Sequence, residues 1–439
     1  MTKTNSIFQA PRAPARLPLE EPWALLGHRS PIVFMRDYWH KRPLLVRQAI
    51  PSFALAKAQG QSLKSPISTQ ALFGFACDGH SEARLVKAKP WQLDHGPFTR
   101  KQIPSLQKKD WTLLIQGVEA RHPAAANVLS WFRFIPDARL DDLMISIASV
   151  GGGVGPHVDS YDVFLIQMEG RRHWKISSQA ELSLREDLPL KILSRFKPEE
   201  DWVLEPGDLL YLPPNIAHEG IALDSGCQTW SVGFRSPTFR ELLQEGLWRL
   251  AESLEDNPQL ASIYADPHQE ATHSPWVLPR RLENEIEKHL GRLALDQGKN
   301  YMPGISAYLS EPKPHAIFDG PQNPLSPKAF WQALASRSLV PHPQTRLLMW
   351  QEIVFCNGEE VSRGQDAHIC LTWQELAKEH CLAPGRVLNK NSSRNKDLKR
   401  SSPALVDTNG RSLRTKQLLE ENSLYEAYCS GWLIFESAQ

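Results

Sequence analysis

The chain has 439 residues, too many for one ordinary core, so two to three domains are expected. Its 41% hydrophobic and 23% charged residues are those of a soluble globular protein, and a net charge of +1 gives no sign of a global attraction to nucleic acid or membrane. Six scattered cysteines without a C-x-x-C pair argue against a zinc ribbon or a disulfide framework and fit a reducing cytoplasm.

Residues 1–22, rich in proline and arginine, read as a flexible tail without the apolar stretch of a signal peptide. No later run approaches the roughly 18 apolar residues of a membrane span, so no membrane partner is expected. From Trp39 to Phe239 the chain alternates turns with short β-rich runs: "RPLLVRQ", "WTLLIQGV", "LMISIASV", "DVFLIQM", "HWKIS", "DLLYLPP" and "TWSVGF". That pattern predicts an antiparallel, barrel-like β domain. Near residue 238 the period changes to 3.6: Phe239, Leu242, Leu243, Leu247, Leu250 and Leu254 form one apolar stripe, and Leu278, Leu282, Ile286, Leu290 and Leu293 another. A third helix is expected near Ile305 to Leu309. After a proline-rich link, "RLLMWQEIVFCNGEEVS" reads as a hairpin turning at Asn357-Gly358, and Thr372 with Glu375 as a capping box that opens a helix. With the final "WLIF" strand these elements suggest a small winged-helix-like domain.

The chemistry centres on "GGGVGPHVDSYDVFLIQMEGRRHW", Gly151 to Trp174. On a strand, His157 and Asp159 share a face, with Tyr161 next in the row, which is how a metal takes two neighbouring ligands. A lone His-x-Asp reads first as a hydrogen-bonded pair. A second element, "EPGDLLYLPPNIAHEG", sets a Pro-Gly-Asp turn before a buried strand and then supplies His218. Two histidines and a carboxylate make the facial triad of non-haem Fe(II) oxygenases, whose open positions accept a 2-oxoacid cosubstrate and dioxygen. Arg172 shares a face with Trp174 and Ile176, so its charge projects among apolar groups and needs an anion, such as the far carboxylate of that cosubstrate. Gly151 to Gly153 lead into a strand and lack a phosphate-loop signature; they read as a close approach to the metal strand. His95, His173 and Cys227 read as structural.

"DDLMISIASVGGGVGPHVDSYDVFLIQMEGRRHW", "EPGDLLYLPPNIAHEG", "SVGFRSP" and "YWHKRPLLVRQA" together resemble the bacterial JmjC-type ribosomal oxygenases, the YcfD-like arginine hydroxylases that act on large-subunit ribosomal protein sixteen. The likeness is strong from about residue 34 to 245 and architectural beyond. It implies a double-stranded β-helix (JmjC/cupin) domain over 23–238, a helical dimerisation region over 239–312 and a winged-helix-like domain over 313–439. It further implies Fe(II) held by His157, Asp159 and His218, 2-oxoglutarate held by Arg172 and Ser146, dioxygen as co-reactant, and a homodimer. For the substrate arginine it implies a slot between Met144 and Tyr161, with Asp142 and Ser231 meeting the guanidinium.

Plainer readings stand beside these. Met144 and Tyr161 also suit barrel packing, Asp142 also suits a solvated position, and Asp141 competes with it for the substrate. The apolar helical stripes fit a dimer or packing on the chain's own barrel. The basic run Arg386 to Arg400 fits either RNA contact or a solvated loop. Rival functions are a histidyl or asparaginyl hydroxylase or a demethylase on the same scaffold, and a non-catalytic cupin and winged-helix binding protein.

Overall fold

Tyr211, on a strand whose two faces enter two different cores, shows how the β domain is built. The computed structural model describes residues 18–255, 267, 278–294, 301–314, 316–385 and 422–436. They form two compact units, the first reaching Ser236 and taking back Lys313–Phe318 and His342–Gln344, the second holding Pro237–Pro312, Asp319–Pro341 and Thr345 onward. Residues 1–17 of the expected tail and the basic run Arg386 to Arg400 lie outside the described residues.

In the first unit the elements run α1 (Pro31–Asp37), β1 (Leu44–Val46), α2 (Pro51–Ala58), α3 (Thr69–Cys77), β2 (Ala83–Lys87), β3 (Gln92–His95), β4 (Trp111–Ile115), α4 (Pro123–Ser130), β5 (Leu140–Ala148), β6 (Val163–Glu169), β7 (Arg172–Ser177), β8 (Glu200–Leu204), β9 (Leu209–Leu212), β10 (Ala217–Ala222) and β11 (Cys227–Phe234). All seven β-rich runs of the sequence are strands. The helices were not expected; Ser30 and Ser68 open α1 and α3 by accepting the Val33 and Ala71 amides.

An eight-stranded antiparallel sheet, in the order β1-β9-β6-β11-β5-β4-β2-β3, accompanies a three-stranded sheet in the order β10-β7-β8. Because side chains alternate, Phe164, Ile166, Leu209 and Tyr211 enter a large core with Phe34, Phe53, Phe73 and Leu129 of the helices. Their neighbours Val163, Leu165, Leu210 and Leu212 enter a second core with Trp174, Ile176 and Leu204 of the smaller sheet. Burial on both faces is why "DVFLIQM" and "DLLYLPP" read as near-continuous apolar runs.

Two polar devices fix the edges. Asp208, at the Pro-Gly-Asp turn, accepts from the Gln48 and Glu205 amides and pairs with Arg47 at 2.7 Å, tying β1 to β9. The Tyr211 hydroxyl donates to Asp162 Oδ1 at 2.5 Å and accepts from the His40 amide at 2.9 Å, holding the chain beside Tyr161. Burial raises the Asp162 carboxyl above its ordinary range and raises the Tyr211 hydroxyl too.

The second unit contains α5 (Phe239–Glu255), α6 (Arg280–Ala294), α7 (Met302–Leu309), α8 (Pro327–Leu334), β12 (Leu339–Pro341), β13 (Leu347–Trp350), β14 (Ile353–Cys356), β15 (Glu359–Glu360), α9 (Ala367–Glu379), α10 (Ser423–Cys429) and β16 (Leu433–Phe435). β12 pairs with β16, and β13, β14 and β15 form a meander around a core that includes Phe330, Trp373 and Leu433. Asn357 and Gly358, both at positive φ, turn β14 into β15, while a separate turn at Gln351-Glu352 joins β13 to β14.

One expectation is corrected. Thr372 does not cap a helix: α9 begins at Ala367, with Asp366 accepting the His368 amide at 2.8 Å, and Thr372 lies buried mid-helix, its hydroxyl donating to the His368 carbonyl. A buried threonine satisfied by the preceding turn looks, in sequence, like an N-cap.

The glycine run does permit a close approach. A Cβ on Gly152 would lie 2.1 Å from the Trp111 carbonyl oxygen, and one on Gly153 would lie 2.6 Å from that of Gly220. Gly152→Ala should therefore cost about 1–3 kcal/mol, the usual cost of overpacking. Chemical denaturation checks this; a wild-type midpoint would contradict the close approach.

Candidate active site

The segment carrying His157 and Asp159 is not the regular strand that alternation predicts. His157 forms an isolated bridge with His218, donating its amide to the His218 carbonyl at 3.0 Å and accepting from the His218 amide at 2.9 Å. The pairing does not continue from there as a regular ladder. The Asp159 carbonyl is taken instead by the amide of Asn215, in the left-handed region at φ 64°.

Even so the three side chains converge, with ligand atoms from each within 4.8 Å of one another. Asp159 Oδ1 is 4.0 Å from His157 Nε2, and Oδ2 is 3.6 Å from His218 Nε2. His157 Nδ1 sits 2.9 Å from the Gly155 carbonyl and His218 Nδ1 2.8 Å from that of Ile216. A carbonyl can only accept, so each Nδ1 carries a proton, and Nε2 is the ring atom each histidine has left for a metal. Burial, and then the neighbouring His157, push the His218 pKa down to about 4, holding that imidazole in the neutral form a metal binds. Among the described residues this is the one His/Cys/Asp/Glu group arranged for an ion.

A cavity of about 410 Å³ opens beside the triad. Its walls come from alternate residues of neighbouring strands: Asp142, Met144 and Ser146 on β5, Thr229, Ser231 and Gly233 on β11, Thr112 and Leu114 with Gln116 beyond them on β4, and Arg84 and Val86 on β2. Ser231 lies opposite Met144 in register, and Thr229 opposite Ser146. Tyr161 also lines the cavity, so each residue expected for cosubstrate or substrate faces the same space. Burial, then the charges of Asp159, Asp142 and Asp141, raise the Tyr161 pKa, so the ring stays a neutral phenol.

Arg172 is 4% exposed and has no ion pair among the described residues. Its Nη1 and Nη2 reach the Gly220 carbonyl and Ser146 Oγ only at 3.5 Å, and its Nε has no hydrogen-bond partner. Thr112 Oγ1 and Trp174 Nε1, on residues lining the same cavity, are likewise buried without partners. A buried cation beside idle hydrogen-bonding groups is a receptor for an anion. The residues therefore fit both groups the fold implies: a divalent ion at the triad and a carboxylate at Arg172. His173, on the opposite face, pairs with Asp201 at 2.6 Å, as its structural reading requires.

Sequence reading missed Thr112, Gln116, Arg84 and Lys313. The first two were signalled by the alternation in "WTLLIQG", where Thr112, Leu114 and Gln116 share a face. Arg84 lies on a strand not recognised, and Lys313 in a proline-rich link without periodicity.

A JmjC domain family model matches residues 127–242. The ribosomal protein uL16 3-hydroxylase of Escherichia coli (strain K12) is 33% identical over 335 residues, covering 75% of this chain and 84% of that one. The chain belongs to the JmjC-domain ribosomal oxygenases. A probable ribosomal oxygenase of Haemophilus influenzae is 32% identical over 288 residues, 62% of each chain. The structure of YcfD, a ribosomal oxygenase from E. coli, in complex with cobalt and 2-oxoglutarate superposes with a TM-score of 0.67 at 29% identity, covering 92% of this chain and 97% of that one. The β domain is thus the JmjC/cupin fold, and this ribosomal oxygenase is a dioxygenase that uses Fe(II), 2-oxoglutarate and dioxygen. No helix among the described residues is long and apolar enough to cross a membrane.

His157→Ala and Asp159→Ala should each abolish coupled succinate release and lower bound metal, measured by elemental analysis; full metal content with normal turnover in either would remove the triad. Arg172→Met should raise the KM for 2-oxoglutarate by about two orders of magnitude, since stripping one partner from a buried ion pair costs roughly 3 kcal/mol.

Proposed function

We propose that this chain hydroxylates the β-carbon of an arginine in ribosomal protein uL16 of the large subunit, in the cytoplasm. The observation that carries this reading is the slot: a carboxylate only 5% exposed, a thioether and an aromatic ring beside the metal ligands, in a chain 33% identical to a uL16 3-hydroxylase. When bound, the metal together with 2-oxoglutarate and dioxygen supplies the oxidation that turns a C–H into a C–OH, with succinate and carbon dioxide released.

The protein's own residues do the positioning. His157, Asp159 and His218 hold the ion, and Arg172 with Ser146 receives the far carboxylate of 2-oxoglutarate. Asp142 meets the substrate guanidinium: Asp141 is held more closely, by Lys313 at 2.6 Å and Arg235 at 3.6 Å, whereas Lys313 stands 3.9 Å from Asp142. Tyr161, kept as a phenol, lays its ring on the alkyl stem and guanidinium, Met144 packs on the other side, and Ser231 adds a hydroxyl.

The proposal extends to a homodimer and a winged-helix-like C-terminal domain. Phe239 is 85% exposed on α5, and Leu243, Leu247 and Trp248 on the same helix, with Ile286 and Leu290 on α6, are exposed apolar residues that a second copy would cover. The short helices and the β13-β14-β15 meander support the C-terminal reading.

Purified enzyme with Fe(II), ascorbate and 2-oxoglutarate should add one oxygen to a single arginine of recombinant uL16, read by tandem mass spectrometry; an oxygen on histidine or asparagine, a lost methyl, or no change would defeat this assignment. Asp142→Asn should raise the KM for uL16 about 10- to 100-fold, the worth of a charge-assisted hydrogen bond at roughly 1.5–3 kcal/mol, while sparing that for 2-oxoglutarate.

A further inference from the structure

We propose that Gln116, braced by Arg84, is a positioning residue that fixes the Asp142 carboxylate for an incoming guanidinium while keeping the enzyme's own arginine away from it. The inference rests on the reading that Asp142 meets the substrate arginine.

The Gln116 side-chain amide, in the orientation its neighbours require, donates to Asp142 Oδ2 at 2.6 Å and accepts from Arg84 Nη2 at 3.0 Å. The Gly117 amide donates to the same Oδ2 at 3.1 Å, with Gly117 in the left-handed region at φ 64°. Both donors to Oδ2 are neutral. They orient the carboxylate without cancelling its charge, whereas Asp141 is met by two cations. Oδ1 lies on the side of Gly233 and of Lys313, whose Nζ is 3.9 Å away; both residues line the cavity.

The polarity of the amide is the point. Gln116 stands between a carboxylate and a guanidinium, giving N–H to one and C=O to the other, so Arg84 and Asp142 are linked without forming an ion pair. Arg84 Nη2 also approaches Met144 Sδ at 4.0 Å, and its Nε is 3.7 Å from Glu82 Oε1. One arginine therefore braces both the carboxylate and the thioether wall of the slot. Were the amide absent, Arg84 would join Lys313 as a competitor for the charge that the substrate must find.

The test compares Gln116→Leu with Gln116→Glu in the full-length enzyme, loaded with Fe(II) and 2-oxoglutarate, on recombinant uL16. Glutamate keeps the shape and still accepts from Arg84, but at neutral pH has no N–H for Asp142. Both variants should raise the KM for uL16 tenfold or more while changing the KM for 2-oxoglutarate less than twofold. A wild-type KM for uL16 in Gln116→Glu, or equal losses for both substrates, would overturn the proposal. If wild-type enzyme leaves uL16 unmodified, the target reading fails by itself, and the Gln116 role is decided without substrate. Unfolding midpoints of Gln116→Leu, Asp142→Asn and the double variant should then be non-additive, and additivity would overturn it.

Discussion

Two backbone hydrogen bonds between His157 and His218 are the constraint from which the site follows. They set the imidazole centroids 4.2 Å apart, and everything near them serves to let that contact form and then stop. The glycines before His157 let the chain lie against the backbones of Trp111 and Gly220, where a side chain would collide. Beyond the bridge the Asp159 carbonyl takes the Asn215 amide, and the Asp159 carboxylate turns back toward both rings. The carbonyls of Gly155 and Ile216 then choose the tautomers. Metal affinity here is a property of main-chain geometry as much as of three side chains.

Strand β5 supplies the scale. Its alternate residues Asp142, Met144 and Ser146 face one cavity at roughly 7 Å intervals, as pleating requires. At one end Ser146 adjoins Arg172, a buried positive charge; at the other Asp142 is a buried negative one. On the proposed binding mode a dicarboxylate and a guanidinium are sorted to opposite ends of one strand by charge before any shape is consulted, and the triad lies beside the row. Asp141 and Asp142 differ in the same arrangement, since Asp141 pairs closely with lysine and arginine while Asp142 Oδ2 takes two amides and its Oδ1 lies 3.9 Å from that lysine.

What could be read from sequence followed from period and chemistry. The seven β-rich runs, the triad and the face of Arg172 were legible because a two-residue repeat is visible in the letters and because histidine and aspartate in that setting have few other uses. His157 and Asp159 converge for a reason other than the one alternation offered: their segment is not a strand, and a backbone bridge does the work. Thr372 misled because a hydroxyl bonded to the preceding helical turn has the same spelling as one capping a helix. Arg84 and Lys313 were invisible since their roles depend on contacts across the fold, to Gln116 and to Asp141, that no local pattern encodes.

The isolation of Arg172 also says something about which small molecules the enzyme tolerates. On the proposed binding mode a 2-oxoacid ending in a methyl or other neutral group would present its oxoacid end to the ion, yet would leave the guanidinium with only its 3.5 Å contacts to Gly220 and Ser146, and the Thr112 hydroxyl and Trp174 indole N–H without partners. Sites built around buried polar groups reject ligands that lack the matching group far more strongly than apolar pockets reject a misfit of size. On the proposed binding mode this weakly held guanidinium is a discriminator: chain length and a second terminal charge, shared by few 2-oxoacids, are what it rewards.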